Sequence, residues 1–177
     1  MPKTAEAKPL TNRWDDTLAA KMSESEKLLY RSNLLGSEKR ITNYGGGNTS
    51  AKVTERDPVS GEAVEVLWVK GSGGDLGTLT EAGLALLDLE RVRALEGVHA
   101  AGTHEDAIVA HYDHCRFGDG GAVPSIDTPL HAFIDAAHVD HLHPDSMIAL
   151  AAAADGERLT AECYGDEVGW LDWKRPG

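Results

Sequence analysis

The run His138-Val139-Asp140-His141-Leu142-His143 concentrates three imidazoles and a carboxylate within six residues. On a strand, His141 and His143 project from one face, about 7 Å apart along the backbone, and can converge on a single ion. Neutral imidazole is a common zinc ligand, and a catalytic zinc takes three protein ligands and keeps one position open. The other reading of a lone His-x-His is a surface or structural pair. His138 falls on a different register and reads as structural. A second group, His104, His111, His114 and Cys115, places His111 and Cys115 on one helix face at i,i+4 with His114 adjacent. Mixed sulfur and nitrogen donors suit zinc, but this helix also needs a core face, and cysteine serves as a small buried hydrophobe. The structural reading carries more weight there.

Two glycine-rich stretches could bind an anion. In Ile41-Thr42-Asn43-Tyr44-Gly45-Gly46-Gly47-Asn48-Thr49-Ser50, three consecutive glycines let the backbone turn and come close to something, and short hydrogen-bonding side chains follow at once. Lys70-Gly71-Ser72-Gly73-Gly74-Asp75-Leu76-Gly77 repeats the composition. Backbone N–H groups and hydroxyls in such loops take anion oxygens; a polar turn is the plainer alternative. In Pro124-Ser125-Ile126-Asp127 the carboxylate opens a helix. It is either a cap favoured by the helix dipole or a general base close to the histidine pair.

The elements that must position these groups read as follows. Apolar residues from Trp14 to Leu35 fall at helical spacing, as one helix or a broken pair, with Gly36 as the stop. A short strand over 51–54, a Pro/Gly turn at 57–62 and a strand over 63–69 make a hairpin. The spacing predicts an amphipathic helix capped by Thr80 and running through Leu95. A further helix covers 105–114, and a polar loop covers 118–124. A helix spans 129–137 with its proline placed early, and a strand runs over 139–143. A small-residue helix covers 146–154, and the mixed tail has a candidate strand within 165–173. Residues 1–12 read as a disordered lead-in and 13–177 as one domain.

Composition narrows the partners. The 177 residues include 41% hydrophobic and 26% charged residues, with a net charge of −12, which disfavours a phosphate-backbone partner and predicts no nucleic-acid binding. Residues 1–56 carry 10 of the 17 Lys/Arg but only 7 of the 29 Asp/Glu. An anion bound here must therefore be captured by local groups against an unfavourable overall field. Two cysteines form no disulfide framework. No apolar run reaches membrane-spanning length and no secretion signal opens the chain. The reading is a cytoplasmic enzyme-like chain without a membrane partner.

Taken in order, GGGNTS, KGSGG, PSID and HVDHLHPD resemble the class II aldolase/adducin family, above all the aldolase part of bifunctional rhamnulose-1-phosphate aldolase/short-chain dehydrogenases. The resemblance runs from about residue 14 to the end. It implies an α/β fold, a three-layer α/β/α sandwich around a mostly antiparallel sheet, truncated at the C-terminus, and tetramers when the protein is full length. It implies a sugar-phosphate substrate cleaved with zinc: a ketose 1-phosphate, rhamnulose 1-phosphate in first place, giving dihydroxyacetone phosphate and lactaldehyde. Asn48 matches the phosphate-loop asparagine, Ser72 and Gly73 the second phosphate-binding turn, and Ser125 the serine before the acidic residue. Asp127 stands where these aldolases carry a glutamate as proton-transfer base, one methylene longer. His141 and His143 match the first two zinc ligands. No histidine follows His143, so a third protein ligand to Zn2+ is expected beyond residue 177. The piece is expected to bind zinc weakly and to catalyse little alone. No strand–GxGxxG–helix unit is present, so no nicotinamide cofactor is expected for this piece. Two alternatives share the resemblance, a non-catalytic adducin-like interaction module and another sugar-phosphate lyase or epimerase.

Overall fold

The computed structural model describes residues 9–98 and 105–173. Its elements are α1 (Asp16–Ala19), α2 (Glu24–Ser37), β1 (Asn48–Arg56), β2 (Ala63–Lys70), β3 (Leu84–Asp88), α3 (Leu89–Val98), β4 (Arg116–Gly121), α4 (Thr128–Phe133), β5 (His138–His141), α5 (Asp145–Ala151) and α6 (Gly156–Tyr164). Most of the stretch 1–12 lies outside the described residues, and 9–12 belong to no regular element.

Local chemistry fixes several boundaries. The helical region from Trp14 is a broken pair, as one of the two readings has it. Asp15 caps α1 by accepting from the Thr17 and Leu18 N–H groups. Ser23 and Glu26 exchange side-chain-to-backbone bonds in a capping box at the start of α2. The β1–β2 hairpin turns on Asp57, whose carboxylate accepts from the N–H groups of Val59 and Ser60 at 2.9 and 2.7 Å.

The five strands form one sheet in the order β4-β3-β2-β1-β5, every neighbouring pair antiparallel. Side chains alternate between its faces with a period of two. Leu67, Val69, Ala85 and Leu87 face one way and meet Leu89, Val92 and Leu95 of α3, Tyr112, Cys115 and Ala132 of α4. Ala51, Trp68, Leu84 and Leu86 face the other way, toward Leu28 of α2 and the Leu76–Leu79 segment. Helices thus cover both faces of the sheet, which is the α/β sandwich expected from the sequence.

Four elements differ in kind from the sequence reading, while the helix expected over 129–137 ends at Phe133 and the strand expected over 139–143 ends at His141. The helix expected from Thr80 through Leu95 divides into a 3-10 turn (Glu81–Gly83), strand β3 and helix α3. Because β3 is buried on both faces, its leucines form a continuous apolar run that also fits helical spacing. The expected polar loop around 118–121 is the edge strand β4, whose pairing with β3 is irregular between Ala85 and Leu87. Residues 105–115 wind as 3-10 turns. In the tail, 156–164 is helical, 165–167 is a 3-10 turn and 168–173 has no regular structure, so the candidate strand is absent.

Gly36 has a different role from the expected stop signal. It lies inside α2, on the buried stripe with Leu28 and Ser32. An added Cβ there would stand 2.0 Å from the Gly77 nitrogen, so its missing side chain lets the helix touch the 76–77 backbone. Asn33 reinforces the seam by donating to the carbonyls of Leu76 and Leu79 at 3.0 and 3.1 Å. Gly36→Ala is expected to destabilise the protein by about 1–3 kcal/mol through overpacking, read as a lower melting temperature. An unchanged melting temperature would mean the seam yields freely.

Candidate active site

The pairing of β1 with β5 sets Asn48 opposite His141 and Ser50 opposite Val139. Opposed residues of an antiparallel pair share a face, here the face covered by α4. Along β1, Asn48, Ser50 and Lys52 meet the α4 region in turn. The Asn48 amide donates to Asp127 Oδ2 at 3.1 Å. The Ser50 hydroxyl lies 2.8 Å from His131 Nδ1. The Lys52 ammonium donates to the carbonyls of Ile134 and Ala136.

Asp127 occupies the N-cap position of α4 yet makes no side-chain capping bond. Its carboxylate turns into the site instead. Oδ2 accepts from Asn48 and, at 3.2 Å, from the Ser125 hydroxyl. It also lies 3.7 Å from His141 Nδ1, an electrostatic contact longer than a hydrogen bond. The His141 imidazole is the largest influence holding the Asp127 carboxyl below its ordinary range; burial opposes it, and Ser125 and His131 assist. Of the two readings of Asp127, the geometry removes the cap.

Strand β5 ends at His141, and the chain bends through Leu142 so that His143 returns toward its neighbour. The two rings meet edge to face with centroids 4.7 Å apart, and the two Nε2 atoms stand 3.0 Å from each other. Two imidazole nitrogens on one tetrahedral zinc are about 3.3 Å apart, from bond lengths of 2.0–2.1 Å. The separation of the pair is within a few tenths of an ångström of that distance. The buried Nδ1 of His141 has no hydrogen-bond partner among the described residues. Burial and then His141 lower the pKa of His143, with Asp127 opposing, so its ring stays neutral and able to ligate near pH 7. Among the described residues no group of three or more His, Cys, Asp or Glu side chains is arranged to hold a metal.

The glycine loops flank this cluster. Gly47, at φ +77°, passes so close to β5 that an added Cβ would stand 2.8 Å from the His141 carbonyl oxygen. One on Gly46 would stand 2.9 Å from His143 Nδ1. Ser72 and Gly73 are exposed on the loop after β2. That loop is tied to the Ser125 segment by a bridge between Gly71 and Pro124 and by the Ser72 N–H bond to the Val123 carbonyl at 2.8 Å. All seven residues singled out by the sequence thus lie on two neighbouring loops, one strand end and the approach to α4. Among the described residues the second histidine group does not assemble. His104 lies outside the described residues, and Cys115 is 1% exposed in the apolar core, where burial pushes its thiol pKa up.

Residues 26–177 match the family described as Class II Aldolase and Adducin N-terminal domain. The chain belongs to the class II aldolase/adducin family. It is similar to the N-terminal class II aldolase domain of a conserved protein from Thermoplasma acidophilum, with a TM-score of 0.77 and 31% identity over 89% of this chain and 71% of that one. It is also 41% identical over 165 residues to an uncharacterized oxidoreductase, YuxG, of Bacillus subtilis (strain 168). That match covers 93% of this chain and spans 24% of the relative's length. The matched family region begins within α2 and includes both glycine loops, Asp127 and the histidine pair.

This family member adds two residues the sequence did not single out. His131 is fully buried against Ser50, and Lys70 is 2% exposed between the glycine loops. A histidine four residues after Asp127, one turn along the same helix, was the available signal for the first. A lysine at the junction of a strand and a glycine loop was the signal for the second.

Burial pushes the His131 pKa down to about 4, with His141 adding to the shift. Between that value and its ordinary 6.5, the unfolded chain binds a proton that the folded one refuses, so stability falls as pH is lowered. The contribution is about 3 kcal/mol at most. The urea midpoint is expected to drop between pH 7 and pH 4.5. A flat midpoint across that window would contradict a buried neutral imidazole.

Proposed function

We propose that this chain is the N-terminal part of a zinc-dependent aldolase that cleaves a ketose 1-phosphate, rhamnulose 1-phosphate in first place, to dihydroxyacetone phosphate and lactaldehyde. The observation that carries the reading is the convergence of His141 and His143 at 3.0 Å beside an ionised, non-capping Asp127. Family membership supports the reaction class. The oxidoreductase name of the longer Bacillus subtilis relative is compatible with an aldolase part joined to a dehydrogenase part.

In this reading His141 and His143 hold the zinc, with a third protein ligand supplied from beyond residue 177. When bound, zinc supplies Lewis-acid polarisation of the substrate's oxygens. Asp127 Oδ2 carries the proton transfer at the carbon that changes partners, and Asn48 and Ser125 orient it by donating to that same oxygen. Asn48 engages the phosphate through its second amide proton, Ser72 through its hydroxyl, and Gly73 and Ser125 through backbone N–H groups. His143, neutral near pH 7, keeps its lone pair for ligation. We place the protein in the cytoplasm, as a tetramer when full length.

The test is zinc content together with retro-aldol activity on rhamnulose 1-phosphate, for the 177-residue chain and for its continuous reading frame. Zinc and activity are expected in the longer form. His141→Ala there is expected to remove both bound metal and at least 10³-fold of the activity, the order seen when an electrostatic stabiliser is lost. Retained cleavage with the zinc gone would sink the mechanism. Neither zinc nor cleavage in the unmutated longer form would favour the adducin-like interaction module.

A further inference from the structure

Lys70 ends β2 and its ammonium lies between the two glycine loops. Its three partners are Gly73 O at 2.8 Å, Gly71 O at 3.3 Å and Asn48 Oδ1 at 3.3 Å. An ammonium has three protons, so all of its donors are used. Every acceptor is a neutral oxygen. A buried charge is costly unless an opposite charge accompanies it. The nearby Asp75 carboxylate is already engaged by Lys39 at 3.0 Å and by the Gly77 N–H at 2.7 Å. Asp127 lies on the far side of Asn48, acting on Lys70 only through space.

This arrangement dictates the orientation of its neighbours. A lysine cannot accept, so Asn48 must turn Oδ1 toward it, which leaves Nδ2 as the donor to Asp127. A planar trans peptide sets its C=O and N–H in opposite directions. Drawing the Gly73 carbonyl inward therefore turns the Gly74 N–H outward, away from the ammonium. Gly73 and Gly74 both have positive φ, +73° and +74°, a backbone that glycine adopts freely. Ser72, Gly73 and Gly74 also line a cavity of about 290 Å³ together with Asp75, Thr78 and Thr80.

We propose that Lys70 is the positioning residue of the anion site, a buried cation that shapes both glycine loops around it and attracts the substrate's phosphate through them. The assignment of the anion as a sugar phosphate rests on the aldolase reading above. Lys70 does not touch the phosphate, since its protons are spent on the loops. It supplies local positive charge within a chain of net charge −12.

The experiment measures the affinity of the parent protein, Lys70→Met and Lys70→Arg for inorganic phosphate by calorimetry, with circular dichroism and melting as controls for folding. Lys70→Met is expected to bind phosphate about tenfold more weakly or worse, as loss of the buried charge and of the loop geometry it holds implies, and Lys70→Arg to recover part of that loss. In the longer form acting on rhamnulose 1-phosphate, Lys70→Met is expected to raise KM by a similar factor and to change kcat less. A folded Lys70→Met with unchanged phosphate affinity overturns the proposal. So does a parent protein that binds no phosphate. Should Lys70→Met fail to fold, a phosphate titration of the 15N-labelled parent decides. The Lys70 ammonium and the 72–75 amide signals are expected to shift along one binding curve, and their failure to shift overturns the proposal. The two readings separate cleanly. Lys70-dependent phosphate binding without aldol cleavage keeps this proposal and removes the aldolase reading. Cleavage with phosphate affinity indifferent to residue 70 does the reverse.

Discussion

The register between β1 and β5 is the constraint on which the candidate site depends. Asn48 stands opposite His141, so one strand presents a hydrogen-bonding amide where the other presents an imidazole. The next same-face positions of β1 hold α4 in place, Ser50 through His131 and Lys52 through the carbonyls that end the helix. A slip of one residue would turn all three side chains to the opposite face. That face carries its own lock against slipping. Thr49 bonds Ser32 of α2 at 2.7 Å, and Asp140 of β5 pairs with Arg31 at 3.0 Å. Arg31 also donates to the Ser50 carbonyl at 2.8 Å, which joins helix, central strand and edge strand in one contact set. Both faces of β1 therefore specify the same register, one through α2 and the other through α4.

The sequence showed the chemistry more clearly than the scaffold. The histidine pair, the glycine loops and Asp127 stand out because their residue types are uncommon in those combinations, and the structure brings them together. The β1–β2 hairpin was legible from its turn chemistry, since Asp57 and Gly61 mark the reversal whatever surrounds them. Strand β3 was not legible, because helices lie on both sides of the sheet and leave its leucines no polar alternation to display. β4 was hidden for the opposite reason: Arg116-Phe117-Gly118-Asp119-Gly120-Gly121 has the composition of a loop, and only its neighbour β3 makes it a strand. Gly36 was legible as a special position, but its reason lies 40 residues away at Leu76–Gly77, a distance local patterns cannot span.

Lys70 escaped notice because lysine is rarely buried, so its default reading is a solvated surface group. Its burial follows from its position. Val66, Leu67 and Val69 are all 0% exposed, so β2 is enclosed on both faces, and the residue at its end inherits that enclosure as the chain turns into the glycine loop. The long aliphatic stem suits such a place, passing through apolar surroundings while the head finds oxygens beyond them. Two ordinary facts, an enclosed strand and a glycine loop at its end, together yield an uncommon object, a buried ammonium with neutral partners.

Asp127 gathers these constraints onto one atom. Its Oδ2 receives the Asn48 amide and the Ser125 hydroxyl and faces the His141 ring. The Asn48 amide is itself oriented by Lys70. The carboxylate, the histidine pair and the buried cation are thus linked through consecutive contacts, with one asparagine at the junction. Substituting aspartate for the longer glutamate need not weaken such a site. A shorter side chain has one fewer rotatable bond, and donors to the same oxygen hold it in a single orientation. What it loses is reach, so in the proposed chemistry the reacting carbon must come to the carboxylate. The glycine loop after Lys70 and the histidine pair lie on either side of Asn48, so in the proposed chemistry a small phosphorylated substrate, held at both ends, would bring its middle carbons to Asp127.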